Sequence, residues 1–216
     1  MNGNPSPASP PDLYCITDPD LVPVPIEEQV RQYVAGGARI VQLRHKGASD
    51  GEFRLLAQKC LTICHWGGAL FIVNDRVEIA AAVGADGVHI GQGDLSPTMA
   101  RRMMGEDKVI GISTHDIAQF RAAMQEPVDY IAVGPVFQTS TKKDAESAVG
   151  LELVERAAFE LEGDHRPLVL IGGITLENLP MVKAVAPKAF VCSIGGVLRA
   201  PDIAARVQLW RRTLRP

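Results

Sequence analysis

The sequence predicts an α/β fold, a single-domain (β/α)8 TIM barrel. Short apolar runs alternate with helical segments about eight times, in repeats of roughly two dozen residues, as this barrel requires. The length of 216 residues lies at the short end of the usual range. A doubly wound open sheet is the main alternative, but its G-x-G-x-x-G turn is absent after the first strand, where the chain reads TDPD. We therefore favour the barrel.

The opening MNGNPSPASPP has little to bury, so residues 1–12 are expected to be a disordered leader and residues 13–216 the barrel. Aliphatic and β-branched runs, typical of strands covered on both faces, predict strands at 13–17, 40–43, 70–73, 87–90, 109–112, 130–133, 168–171 and 189–192. Helical apolar patterns predict helices at 26–35, 51–65, 76–83, 97–104, 151–161, 177–184 and 202–214, with another ending near 124. Gly36-Gly37 ends the first helix, and Ser96-Pro97 begins the fourth.

The composition limits which binding partners and which cellular compartment we expect for the protein. A formal net charge of -3 gives no basic surface, so we expect no nucleic acid and no membrane as partners. No run approaches the roughly 20 apolar residues that span a bilayer. Four cysteines, none in a CxxC motif, and no signal peptide indicate a cytoplasmic protein. Cys60 and Cys64 share a face of a predicted helix and are expected in the core rather than around a metal.

Two carboxylates follow successive predicted strands in the stretch FIVNDRVEIAAAVGADGVHIGQGD. Asp75 and Asp94 should emerge at the same edge of a parallel sheet, because a helix connects the two strands. With Asn74 and Gln92 nearby, this edge suits Mg²⁺, which prefers oxygen ligands and shares them with substrate phosphates. The alternative is that each aspartate only caps a loop.

Cations and small residues follow other strands. Gln42, Arg44 and Lys46 alternate, so they would present one phosphate-attracting face if the segment stays extended; otherwise they are unrelated charges of a solvated loop. The loop GPVFQTSTKKD offers hydroxyl and ammonium donors to a second anion. The loops with Gly172-Gly173 and with residues 193–196 follow the seventh and eighth strands, where barrels often hold a phosphate.

A barrel would gather these polar residues around one mouth. The carboxylates and cations suit a magnesium diphosphate, and the Gly/Ser/Thr group suits a phosphate monoester, so we expect two phosphorylated small-molecule substrates. The candidates are Gln42, Arg44, Lys46, Asn74, Asp75, Asp94, Ser113, Thr139, Thr141, Lys142, Gly173 and Ser193.

From Leu13 to about Gly196 the chain resembles thiamine phosphate synthase. The matching motifs are VQLRHK, FIVNDR, GVHIGQGD, GISTHD, GPVFQTSTKKD, IGGIT and VCSIGG, in the order of that family. The resemblance implies a TIM-barrel transferase of thiamine biosynthesis. Such an enzyme joins hydroxymethylpyrimidine diphosphate to hydroxyethylthiazole phosphate and releases pyrophosphate.

The resemblance also implies roles for the candidates. The pyrimidine diphosphate would be held by Gln42, Arg44, Lys46, Asn74 and Lys142, with Asp75 and Asp94 on Mg²⁺. Ser113 would lie near the pyrimidine and its leaving group, and Ser113, Lys142 and Arg44 would be the catalytic residues. The thiazole phosphate would be held by Thr139, Thr141, Gly173, Cys192 and Ser193. The implied mechanism is dissociative: pyrophosphate departs, a pyrimidine methylene cation forms, and the thiazole nitrogen attacks it.

Two details depart from the family pattern. The loop after Lys143 reads DAESAVG, where many relatives have a proline before the glycine. Cys192 stands where a small or aliphatic residue is usual; the contact expected there is made by backbone N–H, so the change should matter little.

The same scaffold could host functions other than that of the synthase. A thiazole tautomerase could use His115 as an acid or base, although His115 beside Asp116 also fits a helix start, and it would not need the diphosphate ligands. A Ser113–His115 hydrolase lacks the G-x-S-x-G elbow. A non-catalytic phosphate sensor would have no use for paired carboxylates. A homo-oligomer is compatible with the sequence, which leaves the oligomeric state open.

Overall fold

The computed structural model describes residues 12–139 and 146–215, and it forms a closed barrel of eight parallel strands. The strands are β1 Leu13–Ile16, β2 Ile40–Leu43, β3 Leu70–Asn74, β4 Gly87–Ile90, β5 Val109–Thr114, β6 Tyr130–Val133, β7 Leu168–Ile171 and β8 Phe190–Cys192. The helices are α1 Ile26–Ala35, α2 Asp50–Trp66, α3 Val77–Val83, α4 Pro97–Met104, α5 Ile117–Ala123, α6 Gly150–Glu160, α7 Leu179–Val185, α8 Gly195–Leu198 and α9 Ile203–Leu214.

The strand register brings the carboxyl ends of all the strands to one mouth. Each strand pairs with the next along the chain, and β1 closes the barrel by pairing with β8, where Tyr14 lies opposite Cys192. Asn74 at the end of β3 lies opposite His89 on β4. Because all the strands are parallel, the loops that follow them gather at this mouth, where barrel enzymes place their active sites.

Local signals explain where several helices begin. Ser49 and Glu52 form a reciprocal capping box at the start of α2, and Ser96 accepts from the Met99 amide at the start of α4. Asp116 accepts from the Gln119 amide and so caps α5. Each cap fixes where a loop at the mouth ends.

The barrel interior is filled by side chains from alternating strand positions. Tyr14 and Tyr130 meet there edge to face, with ring centroids 5.9 Å apart. A Cβ at Gly111 would overlap the Tyr130 ring, so glycine on β5 makes room for it. Cys60 and Cys64 are fully buried on the inner face of α2, as expected for core cysteines.

The predicted barrel and its eight strands are confirmed, and most boundaries agree within two residues. The short helix α8 was not predicted, and β5 continues two residues further, through Ser113 and Thr114. Asp12, which we expected in the leader, is buried and forms an ion pair with Arg211. Residues 1–11 lie outside the described residues. No helix in the described part of the chain is long and apolar enough to cross a membrane.

Candidate active site

A cavity of about 520 Å³ opens at the carboxyl ends of the strands. All the predicted site residues that the structure describes line this one cavity: Gln42, Arg44, Lys46, Asn74, Asp75, Asp94, Ser113, Thr139, Gly173, Cys192 and Ser193. The predicted convergence of these side chains is therefore a property of the fold. Thr141 and Lys142 lie outside the described residues.

Asp75 and Asp94 contact each other at one side of the cavity. The Asp75 carboxyl is raised in pKa to about 6, first by burial and then by the charge and the hydrogen bond of Asp94, while Lys46 and Asn74 act in the opposite direction. Asp94 is itself oriented by the Gly91 amide, which donates to Oδ2 at 2.7 Å. Two carboxylates this close repel each other unless a proton or a cation lies between them, so the pair suits a divalent cation.

The backbone of Asp75 is as unusual as its carboxyl. Its φ of 64° is the one positive value at a non-glycine position among the described residues. The amide of Asp75 still continues the sheet by donating to the His89 carbonyl at 2.8 Å, so the chain turns sharply just after this bond. Left-handed backbone at a non-glycine residue costs free energy and is concentrated at functional sites. The strained turn directs the Asp75 carboxyl toward Asp94.

Arg44 is a nearly buried cation in the cavity wall. Its Nη1 lies 3.2 Å from Asp18 Oδ2. Its backbone N–H donates to Thr17 Oγ1 at 2.9 Å, and the Thr17 hydroxyl donates to the Arg44 carbonyl at 3.1 Å. Lys46, two residues further, is exposed at the same mouth. A fixed guanidinium next to an exposed ammonium is suited to binding a polyanion such as a diphosphate.

Ser113 lies at the end of β5, with its Oγ 2.8 Å from His89 Nε2. Gln92, which the sequence grouped with the acidic pair, donates its Nε2 to the Ser113 carbonyl at 2.7 Å. Gln92 therefore braces the Ser113 backbone. His115 donates its Nδ1–H to the Gly134 carbonyl at 2.6 Å, and the adjacent Asp116 caps α5. Residues 115–116 therefore form the start of α5, which the sequence analysis gave as the alternative to an acid or base role for His115.

The loops after β7 and β8 form the opposite wall. Gly172 and Gly173 have φ values of 100° and 63°, which glycine adopts without strain, and Asn178 Nδ2 donates to the Gly173 carbonyl at 2.9 Å. Ser193 is buried, and its hydroxyl donates to the Ile174 carbonyl at 2.9 Å. The short helix α8 follows directly, as in the phosphate sites of other barrels.

Several residues that line the cavity, or that support a lining residue from behind, were missed by the sequence analysis. Asp18 stands in the TDPD segment that marked the end of β1, and a buried carboxylate for Arg44 could have been sought there. His89 and Tyr14 were read only as parts of strands, although both line the cavity. Arg199, just after α8, adds a cation that no motif indicated.

The fold and the cavity together define an α/β-barrel protein whose mouth gathers carboxylates, cations and glycine-rich loops. The chain belongs to the thiamine monophosphate synthase (TMP-TENI) family, whose model matches residues 13–195. Among its relatives, the thiamine-phosphate synthase of Syntrophomonas wolfei subsp. wolfei is 40% identical over 205 residues, covering 93% of this chain and 96% of that protein.

A second sequence relative and a solved structure support the same family assignment. The thiamine-phosphate synthase of Methanosarcina barkeri is 43% identical over 190 residues, 84% of each protein. The solved structure of thiamine phosphate pyrophosphorylase from Pyrococcus furiosus superimposes with a TM-score of 0.82 at 30% identity, covering 94% of this chain and 95% of that chain. The resemblance stated from the motifs is thereby confirmed.

Proposed function

We propose that this chain is a thiamine phosphate synthase, which joins hydroxymethylpyrimidine diphosphate to hydroxyethylthiazole phosphate and releases pyrophosphate. The observation that carries the proposal is the single cavity lined by a carboxylate pair, by Arg44 and Lys46, and by the glycine loop at 172–173. It has an acidic and cationic side for a metal diphosphate and a glycine-rich side for a phosphate monoester. The proposal includes a cytoplasmic location.

Mg²⁺ fits the acidic side of this cavity. The raised pKa of Asp75 means that the facing carboxylates hold a proton more readily than usual, and a cation would relieve the same repulsion. No group of three or more His, Cys, Asp or Glu residues that could hold a metal is present within 12–139 and 146–215. The remaining ligands would therefore be water and diphosphate oxygens, as is usual for Mg²⁺. When bound, Mg²⁺ supplies charge neutralisation to the departing pyrophosphate.

The residues of the chain would act by binding, orientation and charge. Arg44, held by Asp18, and the exposed Lys46 would bind diphosphate oxygens and stabilise the negative charge that grows as the carbon–oxygen bond breaks. Gln42, Asn74 and Lys142 would complete the binding of the pyrimidine diphosphate. The loops at 172–173 and 193–196 would hold the thiazole phosphate so that its nitrogen faces the methylene cation. No covalent nucleophile is needed.

The test is product formation from the two phosphorylated heterocycles, first with Mg²⁺ and then with a chelator. We expect equal amounts of pyrophosphate and thiamine phosphate, and no product once the metal is removed. Absence of product from folded protein would contradict the proposal, and a thiazole isomerisation assay would then test the tautomerase.

A matched pair of variants connects the activity to the cavity. Asp94→Asn should lower turnover by about 100-fold or more, because it removes one of the facing charges. Asp107→Asn is the control, since Asp107 is exposed in the loop before β5, at the other end of the barrel. Unchanged turnover of Asp94→Asn with a normal circular-dichroism spectrum would remove Asp94 from the site.

A further inference from the structure

A continuous chain of hydrogen bonds crosses the barrel interior and ends at Ser113. Gln42 Nε2 donates to the Tyr14 hydroxyl at 2.9 Å, and the hydroxyls of Tyr14 and Tyr130 are 2.8 Å apart. The Tyr130 hydroxyl lies 2.8 Å from His89 Nδ1, and His89 Nε2 lies 2.8 Å from Ser113 Oγ. Both ends of this chain, Gln42 and Ser113, line the cavity.

The two tyrosines keep their protons throughout the accessible pH range. Tyr14 is 2% exposed and Tyr130 is 6% exposed. Burial raises the pKa of both phenols well above the usual value, because a phenolate would lose its hydration inside the barrel. Each hydroxyl therefore has one proton to donate and can also accept.

Counting these protons gives the hydrogen-bond chain a direction, from Gln42 to Ser113. Tyr14 accepts from the Gln42 amide, so the arrangement that gives every proton of the series an acceptor has the Tyr14 hydroxyl donating to Tyr130. In this arrangement Tyr130 donates to His89 Nδ1, and a singly protonated imidazole would then carry its proton on Nε2. That proton is donated to Ser113 Oγ, so the serine accepts from within the barrel and its own hydroxyl proton is directed elsewhere. Ser113 lines the cavity, so a ligand bound there can accept this proton.

We propose that His89, Tyr130 and Tyr14 are positioning residues that fix the Ser113 hydroxyl as a hydrogen-bond donor to the bound pyrimidine diphosphate. This inference rests on the proposed synthase function for the identity of the ligand. The direction of the hydrogen-bond chain, in contrast, can be measured in the protein without ligand. A histidine held as one tautomer presents the serine in a single state, which lowers the cost of orienting the serine during the reaction.

The first test is the tautomer of His89 in the ligand-free protein, measured by ¹⁵N NMR of the imidazole nitrogens. The resonances are assigned by their loss in His89→Gln. We expect a proton on Nε2 and none on Nδ1. Tyr130→Phe should shift both resonances, because it removes the donor to Nδ1 while keeping the ring that fills the space beside Gly111. A proton on Nδ1 in the unsubstituted protein would overturn the proposal.

The second test separates positioning from packing by kinetics. Tyr130→Phe should lower kcat about tenfold, the value of one hydrogen bond, and leave the KM for the diphosphate within about twofold. Tyr33→Phe is the matched control. Tyr33 is also buried and donates one hydrogen bond, to the Ile16 carbonyl at 2.9 Å, but it takes no part in the hydrogen-bond chain that ends at Ser113. It should lose stability without losing kcat.

The two tests separate failure of this inference from failure of the proposed function. If the protein makes no thiamine phosphate, the proposed function fails, and the NMR measurement still decides the direction of the chain. If the protein is active and Tyr130→Phe keeps full kcat, the positioning role is overturned while the synthase function stands. An equal loss of kcat in Tyr33→Phe would attribute the effect to packing and also overturn it.

Discussion

Asp18 and Arg44 form an ion pair inside the cavity wall, with 3.2 Å between Asp18 Oδ2 and Arg44 Nη1. Asp18 is 3% exposed and Arg44 is 9% exposed. Asp18 is fixed in turn by Gln29, whose side chain bonds both the amide and the carbonyl of Asp18. The guanidinium is therefore held in place before any ligand arrives.

Asp18→Asn should destabilise the protein by about 3 kcal/mol, because it leaves a nearly buried guanidinium without its counter-charge. The KM for the pyrimidine diphosphate should rise as Arg44 loses its orientation. Urea unfolding and steady-state kinetics measure the two effects. Asp50→Asn is the control: Asp50 pairs with Arg76 at 2.8 Å but is 86% exposed, so its loss should be below about 1 kcal/mol. Equal losses would show that the burial of Asp18 has no energetic effect.

Asp75→Asn should stabilise the metal-free protein by about 1 kcal/mol while abolishing metal-dependent turnover. The gain comes from removing one of two facing carboxylates, and asparagine tolerates the positive φ of this position. Thermal unfolding in the presence of a chelator, and separately in Mg²⁺, measures this change in stability. Mg²⁺ should raise the Tm of the unsubstituted protein and not that of the variant; stabilisation of both by the same amount would place the cation elsewhere.

The pKa of about 6 at Asp75 predicts a pH dependence of metal binding. Because the folded-state pKa is raised, the native protein binds more protons than the unfolded chain between about pH 4 and pH 6, so the metal-free protein loses stability as the pH rises through this window. A cation must displace that proton below about pH 6. The rise in Tm caused by Mg²⁺ should be complete at about pH 7.5 and nearly absent at about pH 5. A constant rise over this range would contradict the coupling.

Gly173→Ala should weaken the thiazole phosphate side of the cavity. The residue has a φ of 63°, and an added Cβ would lie 2.6 Å from the Gln138 carbonyl oxygen, so we expect a loss of more than about 2 kcal/mol and a higher KM for the thiazole phosphate alone. Gly84→Ala is the control, with a similar φ of 73° but open space around the new Cβ. It should lose about 1 kcal/mol and keep both KM values. An unchanged KM in Gly173→Ala would contradict the assigned subsite.

The barrel could be predicted from the sequence because its strands are covered on both faces and read as unbroken apolar runs, such as the one at 130–133. The position of the acidic pair could be predicted because parallel strands end at the same edge of a sheet. Once a helix was recognised between the two strands, Asp75 and Asp94 were expected at the same edge. Ser113 was placed correctly at the mouth even though β5 is longer than predicted.

The rest depends on pairs that are distant in sequence. Tyr14 and Tyr130 are 116 residues apart, and an aromatic residue in a strand gives no sign of whether its hydroxyl meets water, a ligand or another strand. Asp18 and Arg44 are 26 residues apart, and each would be read alone as a loop charge. Helix α8 is only four residues long, too short for a periodic pattern to indicate it.

The ion pair between Asp12 and Arg211 joins residues 199 positions apart, and both of its contacts are 2.8 Å. It lies beside the seam where β1 meets β8, so the first strand is unpaired on one edge until the last strand exists. At a synthesis rate of about 5 to 20 residues per second, β1 has no β8 to pair with for roughly 10 to 40 s. The nascent barrel therefore cannot close until the ribosome has released β8, and a stop codon before β8 would yield an open sheet prone to aggregation.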